Sequence, residues 1–350
     1  MQRYAYGLLI FIAIIFILYM GKTLLMPLTL AIIAWYIIKE LLYYLNSIEI
    51  KGRRIPLFFQ KSLAFLIVVA AIAGFSSIIV NSAESIQGKI PEYQANLNAF
   101  IRNIELPVAF DYKDGLQSIS ERFNFSTMLS LAVNSVSVVF SNGVLTLLYL
   151  IFILIESSSF MDKLQMLYPE KGEKRRIDAV VSSINKSMSS YITLKTITSF
   201  LTGFLSYIVL SIIGVDFAIF WAYLIFLLNF IPTIGSLIAT IFPVLLAFAQ
   251  FGTWIQPSLV LILVSSIQVL VGNILEPRLM GNTLNVSPLV VLVSLAFWGW
   301  LWGVVGMIIS VPITIMLIIV CSQFDNLRWI AIVLSRKGDL PSLEISDDEI

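Results

Sequence analysis

The chain has 350 residues, 59% of them hydrophobic and 12% charged, with 22 Lys and Arg against 21 Asp and Glu; a soluble domain carries about twice that charged fraction. Such a composition is that of a polytopic membrane protein, and a net charge near zero gives no sign of a nucleic-acid partner. Histidine is absent and Cys321 is the single cysteine, which excludes histidine metal sites, imidazole catalysis and proton relays, an intrachain disulfide and cysteine metal clusters.

Residues 4–20 are apolar and long enough to span a bilayer. They follow Arg3 without a small-residue cleavage site and read as a retained helix. A turn at Gly21 and Lys22 leads into a second apolar segment, 24–38, so a tight helical hairpin is expected. Residues 39–61 are a polar connection carrying Lys51, Arg53 and Arg54, and a third span is expected over 62–80. Residues 1–80 thus read as amino-terminal scaffold helices. The region 81–130 is polar and is expected to be extracytoplasmic; Tyr93, Leu97, Ile101 and Ile104 recur there at the spacing of an amphipathic helix.

The next region, 131–213, holds a fourth span over 131–155, a basic connection over 157–195 and a fifth span over 196–213. Lys171, Lys174, Arg175 and Arg176 make the connection basic, and Ile177, Val180, Val181, Ile184, Met188 and Tyr191 form an apolar stripe behind them. Two readings fit that stripe: an interfacial helix in the cytoplasmic headgroup layer, or a helix packed on its neighbours. Lys195 stands at the start of the fifth span, where a long side chain snorkels. Glu156 and Asp216 read as end-of-helix carboxylates.

Beyond residue 214 the pattern changes. The apolar run 217–251 is interrupted by Asn229, Phe230, Ile231, Pro232, Thr233, Ile234 and Gly235. Pro232 lacks a backbone donor and clashes with the carbonyl four residues earlier, so the helix must break. In hydrocarbon the freed groups are tolerated only against protein or a water-filled cavity. A continuous span is expected over 257–273, and 286–321 again reads as two apolar arms, meeting at Gly299, Trp300, Leu301, Trp302, Gly303 and Gly306. Trp298, Trp300 and Trp302 resemble a packed aromatic plug or an interface belt rather than a ligand box. Pro243 and Pro312 each follow their break, which suggests a weak internal repeat, although membrane helices are in general rich in Gly and Pro. The expected fold is an all-α polytopic membrane protein of about eight membrane segments, two of them broken or re-entrant hairpins, with amphipathic interfacial helices. Residues 214–321 form its transport core and 322–350 a cytoplasmic tail.

With the amino terminus inside, 17 of the 22 Lys and Arg fall in cytoplasmic segments. The positive-inside rule therefore favours a cytoplasmic location for both termini.

The run Gly272, Asn273, Ile274, Leu275, Glu276, Pro277, Arg278, Leu279, Met280, Gly281, together with Asn229 to Gly235, Gln268 and the Gly299 to Pro312 stretch, resembles the AI-2E family of bacterial membrane proteins, once called PerM-like. The best-studied members export the quorum-sensing signal autoinducer-2. The resemblance covers essentially the whole chain. It implies an inner-membrane exporter driven by an ion gradient or by the solute's own gradient, assembled as a homo-oligomeric ring, a pentamer.

The candidate site follows from residue chemistry in that frame. Asn229, Thr233, Gln268 and Asn273 are expected to hydrogen-bond a small polar solute, with polar glue between helices as the rival role for the amides. Pro232, Gly235, Pro243, Pro277, Gly281, Gly299, Gly303, Gly306 and Pro312 supply breaks and hinges. Glu276 with Arg278 is expected to form a coupling or gate ion pair, or a pair that only fixes a helix end. No phosphate-binding loop or nucleophile elbow occurs, so ATP-driven pumping and hydrolysis are not expected. No cofactor or metal is expected. The expected function is export of a small polar signalling molecule, autoinducer-2, by alternating access; the alternatives are a sodium or lithium/proton antiporter and a membrane scaffold.

Overall fold

A computed structural model describes residues 2–47, 49–50, 53–54, 56–103, 143–157, 159–167, 171–280 and 285–338. Its elements are α1 (Gln2–Met20), α2 (Lys22–Asn46), a two-strand hairpin of β1 (Glu49–Ile50) and β2 (Arg53–Arg54), α3 (Leu57–Asn103), α4 (Gly143–Glu156), α5 (Phe160–Leu167), α6 (Lys171–Ile213), α7 (Ala218–Leu228), α8 (Ile234–Phe251), α9 (Ile255–Gln268), a π-helical segment (Val269–Leu275), α10 (Glu276–Met280), α11 (Pro288–Ser322) and α12 (Arg328–Leu334). Among the described residues six helices are long and apolar enough to cross a membrane, and the pair α4 and α5, bent by 65°, would add a seventh. The protein is an all-α polytopic membrane protein. Gly281, residues 104–142 and the end of the tail, 339–350, lie outside the described residues.

Two helices are longer than expected, for one physical reason: polar sequence with good helix formers prolongs an apolar helix into water. The third span does not end at 80 but continues through Tyr93 to Asn103, making α3 47 residues long. The basic stripe and the fifth span are likewise one helix of 43 residues. That continuity decides between the two readings of the stripe. Met188, Tyr191 and Ile192 are buried among Tyr36, Ile315, Ile318 and Ile319, with Val180 and Ile184 packed against them, so this face meets protein.

The chain divides into two compact units. The first comprises Met1–Val69, Asn142–Leu194 and Met280–Ile350. Besides the core around Tyr36, it holds a smaller cluster in which Leu301, Trp302 and Ile309 pack with Leu18, Met26 and Phe297. Trp302 Nε1 donates to the Leu18 carbonyl at 3.0 Å. Trp302, and in part Trp298, pack against protein, whereas Trp300 is 68% exposed, so only part of the run is a packed plug. Tyr36 Oη donates to Asn185 Oδ1 at 3.1 Å and Ser189 Oγ to Glu40 at 2.9 Å, which ties α2 to α6.

The second unit comprises Ala70–Ser141 and Lys195–Leu279. Here the outer part of α3 clasps the turn between α6 and α7. Asp216 accepts from Lys89 Nζ at 2.6 Å and from Tyr93 Oη at 2.8 Å. Its backbone N–H donates to Gln250 Oε1 at 2.8 Å, and Asn96 Nδ2 donates to the Gln250 carbonyl at 2.9 Å. Burial, then the hydrogen bond to Asp216, pushes the Tyr93 hydroxyl well above its ordinary pKa, so it stays protonated and keeps donating. Asp216 is thus a buckle holding three elements rather than a simple end-of-helix charge. Phe75 and Tyr223 stack at 3.8 Å between ring centroids, extending the contact of α3 with α7 inward.

Each unit contains one of the two expected hairpins. α7 has 11 residues, about 16 Å of helix, half of a hydrocarbon core of about 30 Å. It turns back at Asn229–Thr233 into α8, and Trp221 stacks on Phe242 across the two arms with ring centroids 6.2 Å apart. In the other unit α11 departs from helical geometry at Gly303, with φ 62° and ψ −140°. Ser294 Oγ lies 2.8 Å from Thr314 Oγ1 and donates to the Ser310 carbonyl at 3.2 Å, contacts that an uninterrupted helix could not make. Both breaks are hairpins with antiparallel arms. A glycine lets each tip close: a Cβ on Gly235 would stand 1.8 Å from the Leu228 carbonyl oxygen, and one on Gly306 1.9 Å from that of Trp298. Gly235→Ala and Gly306→Ala should each cost about 1–3 kcal/mol or more in thermal or denaturant unfolding of the purified protein. Gly74→Ala, where an added methyl meets nothing within 4 Å, should leave stability equal or slightly raised.

Candidate functional site

The tip of the first hairpin carries one of the two non-glycine residues at positive φ among the described residues. Thr233 has φ 59° and ψ −58°, a conformation that a β-branched residue avoids. Such strain persists only where surrounding structure enforces it, and it gathers at binding and switching sites. The Ile234 N–H reaches the Pro232 carbonyl at 2.6 Å, and Asn229 N–H still reaches Ile225 at 3.0 Å, so the break is confined to a few residues. Pro243 and Pro312 lie buried in the second arms of their hairpins, where each frees the carbonyl four residues earlier, Ala239 and Ile308. Gly299 approaches Met307 across the second hairpin: a Cβ there would be 2.8 Å from Cε.

Asn229 is turned inward. Its Nδ2 donates to Ser199 Oγ on α6 at 3.0 Å. Ser199 belongs to a stripe that runs Lys195, Thr198, Ser199, Thr202 and Ser206, spacings of three and four that put every member on one helix face. All five are buried, at 6% exposure or less. Thr198 Oγ1 donates to the Lys195 carbonyl and Thr202 Oγ1 to that of Thr198, while Ser206 Oγ has no partner among the described residues. Gly203, between them, sits under the Ala222 carbonyl and Phe226, so α7 lies directly on this stretch of α6.

The amino-terminal end of the stripe is charged. Lys195 Nζ is 2.7 Å and 2.9 Å from the two Glu276 carboxylate oxygens. The side chains are 7% and 16% exposed. Two sequence expectations are corrected here. Glu276 does not pair with Arg278; residues two apart on a helix point to different sides, and Arg278 is exposed while Glu276 turns in. Lys195 does not snorkel, because its side chain is buried and its ammonium is held by Glu276.

The other expected site residues divide. Gln268, on α9, keeps its amide nitrogen buried with no partner among the described residues. Thr233 and Asn273 are exposed. Pro277 lies exposed just after the π-helical segment, inside the helix that runs on to Met280, where it withholds one backbone donor. Gly281 lies outside the described residues. The expected span over 257–273 is also not plain α-helix: it passes into the π-helical segment immediately after Gln268 and resumes at Glu276. π-turns inside α-helices concentrate at functional sites. Sequence reasoning missed Lys195 and the hydroxyl stripe; the signal was present as hydroxyls at three- and four-residue spacing in an apolar span.

Apolar helices, two hairpins with glycine-closed tips and a buried polar stripe ending in an ion pair define a polytopic membrane protein with polar groups sealed inside it. The family model described as AI-2E family transporter matches residues 8–326. The AI-2 transport protein TqsA of Escherichia coli strain K12 is 33% identical over 293 residues, which cover 81% of this chain and 82% of that protein. A provisionally named transport protein of Haemophilus influenzae is 34% identical over 302 residues, 82% of this chain and 84% of its own. Another, from Borreliella burgdorferi, is 31% identical over 313 residues, 87% and 82% of the two chains. The chain belongs to the AI-2E transporter family.

Removing one member of a buried ion pair strands the other charge. Lys195→Met or Glu276→Gln alone should lower unfolding stability by about 3–5 kcal/mol, and the double variant should recover most of it, measured as a double-mutant cycle on protein in detergent.

Proposed function

We propose that this protein exports a small polar, hydroxyl-bearing signalling molecule, with autoinducer-2 the foremost candidate, by alternating access. The observation that carries the reading is the Asn229–Ser199 hydrogen bond, which joins the broken tip of a membrane hairpin to a buried hydroxyl stripe. A solute with hydroxyl and carbonyl groups can replace that bond partner for partner, because Asn and Ser both donate and accept. Family membership and the name of the Escherichia coli relative support the choice of solute. In this reading Asn229, Thr233, Gln268 and Asn273 recognise the solute, and the hairpins bounded by Gly235, Gly299, Gly303 and Gly306 open in turn. In this reading the protein works as a homo-oligomer, a pentamer as the family resemblance implies, in the bacterial inner membrane, and its charge distribution supports cytoplasmic termini. Sodium or lithium exchange is the weaker reading. The only carboxylate proposed for it, Glu276, already faces the Lys195 ammonium, which a metal cation would have to displace.

The test is efflux of autoinducer-2 from cells lacking other exporters. Asn229→Ala should reduce efflux by about tenfold or more, equivalent to losing about 1.4 kcal/mol of recognition, at unchanged membrane abundance. Normal efflux from this variant would remove Asn229 from the site.

A further inference from the structure

The last described helix lies across the foot of the second hairpin. α12 follows the end of α11 by one turn of chain, and its far end is tied to the start of the first arm. The Ser287 N–H donates to the Leu334 carbonyl at 3.0 Å, and the Arg336 N–H to the Asn285 carbonyl at 3.3 Å. α12 is therefore a crossbar whose two ends meet the two arms. The arms, 288–302 and 304–322, are apolar and about 22 and 28 Å long, against a hydrocarbon core of about 30 Å. A hairpin of that reach has its foot, and hence its crossbar, at a membrane boundary.

The crossbar carries two apolar stripes. Ala331 is fully buried, and Ile330 and Leu334 pack with it on the core around Tyr36. Trp329, Ile332 and Val333, at the same three- and four-residue spacing on the other side, are 64%, 45% and 65% exposed. A helix lying in water turns polar residues outward, and this one turns out a tryptophan and two β-branched aliphatics. Cations frame that stripe. Arg328, Arg336 and Lys337 are exposed at its ends, and Asp325 is the single acidic side chain among described residues 323–338. Arg176 of α6 adds a fourth cation, its guanidinium carbon 5.7 Å from the centroid of the Phe324 ring in the turn before α12.

We propose that α12 is a seat for anionic phospholipid, with Trp329, Ile332 and Val333 entering the edge of the acyl chains and the four cations holding the phosphate headgroups. Two observations select this occupant. The exposed stripe is continuous with a hairpin that spans hydrocarbon, so the medium beside it is the bilayer. Its rim holds four cations against one carboxylate, the complement of a phosphodiester, and tryptophan is a residue that favours this depth. A second copy docking through the same face would set these cations against their own counterparts, which disfavours it. Because the crossbar joins both arms, lipid held there also resists spreading of the hairpin's foot. The inference is independent of which solute is carried.

The test places a fluorophore on the stripe of the full chain. Val333→Cys in a Cys321→Ala background is labelled with bimane and reconstituted in vesicles of phosphatidylcholine and phosphatidylglycerol, with one or the other lipid brominated on its acyl chains. Brominated phosphatidylglycerol should quench the label about threefold or more as strongly as brominated phosphatidylcholine at the same mole fraction. Joint replacement of Arg176, Arg328, Arg336 and Lys337 by Gln should bring the two to equality. A label quenched by neither lipid, as when water or a second copy covers the face, overturns the proposal. Equal quenching by the two lipids, or a preference that survives the four replacements, does so as well. Should the labelled chain fail to fold, thermal shift of the unlabelled protein in detergent decides. Phosphatidylglycerol must raise the Tm of the wild type more than phosphatidylcholine does, and must raise that of the four-Gln variant no more; equal shifts in the wild type overturn the proposal.

Discussion

Hydrocarbon offers a backbone no hydrogen bonds, and most of the structure's irregular features answer that constraint. A helix can be broken in the membrane only where something else receives the freed donors and acceptors. At the first hairpin tip the receivers are the tip's own close backbone contacts, from Pro232 to Ile234 and from Asn229 back to Ile225, together with the Ser199 hydroxyl. Glycine is what lets these contacts form, since a methyl at Gly235 would occupy the position of the Leu228 carbonyl. The second hairpin reaches the same end with a different residue set, using Gly303 for the turn, Gly306 for the approach and the Ser294 hydroxyl for cross-arm bonding.

The two tips are alike in construction without being alike in sequence. Each pairs one residue at positive φ with a glycine a few positions later that faces a carbonyl of the first arm, and each carries a buried proline deeper in the second arm. This common construction strengthens the internal repeat that the prolines and glycines suggested. The tips differ in polarity. Asn229 and Thr233 mark the first, whereas the second is wrapped in tryptophan, with Trp302 fixed to Leu18.

What could be read from the sequence follows a clear physical division. Membrane segments were legible because hydropathy is a property of each segment alone, and the breaks were legible because Pro232 and Gly303 act locally. Helix continuity through 81–103 and 171–195 was not, since polar helix formers look like a loop when apolar runs are the guide. The pairing of Glu276 was misassigned to Arg278 because closeness in sequence stood in for closeness on a helix. Its actual partner is 81 residues away, and only the folding of α6 beside α10 brings Lys195 to it. Asn229 was legible as a polar group at a break, but its partner Ser199 again needed the fold.

The ion pair has one more consequence, electrical in kind. Moving a single charge through a membrane potential of 100 mV changes its energy by about 2.3 kcal/mol, enough to bias a conformational equilibrium strongly. Lys195 and Glu276, bound within 3 Å of one another, travel as a neutral dipole. The field across the bilayer therefore does almost no work on the pair, however far the helices that carry it are displaced. Charge paired in this way can be carried on a moving helix without turning the protein into a voltage sensor.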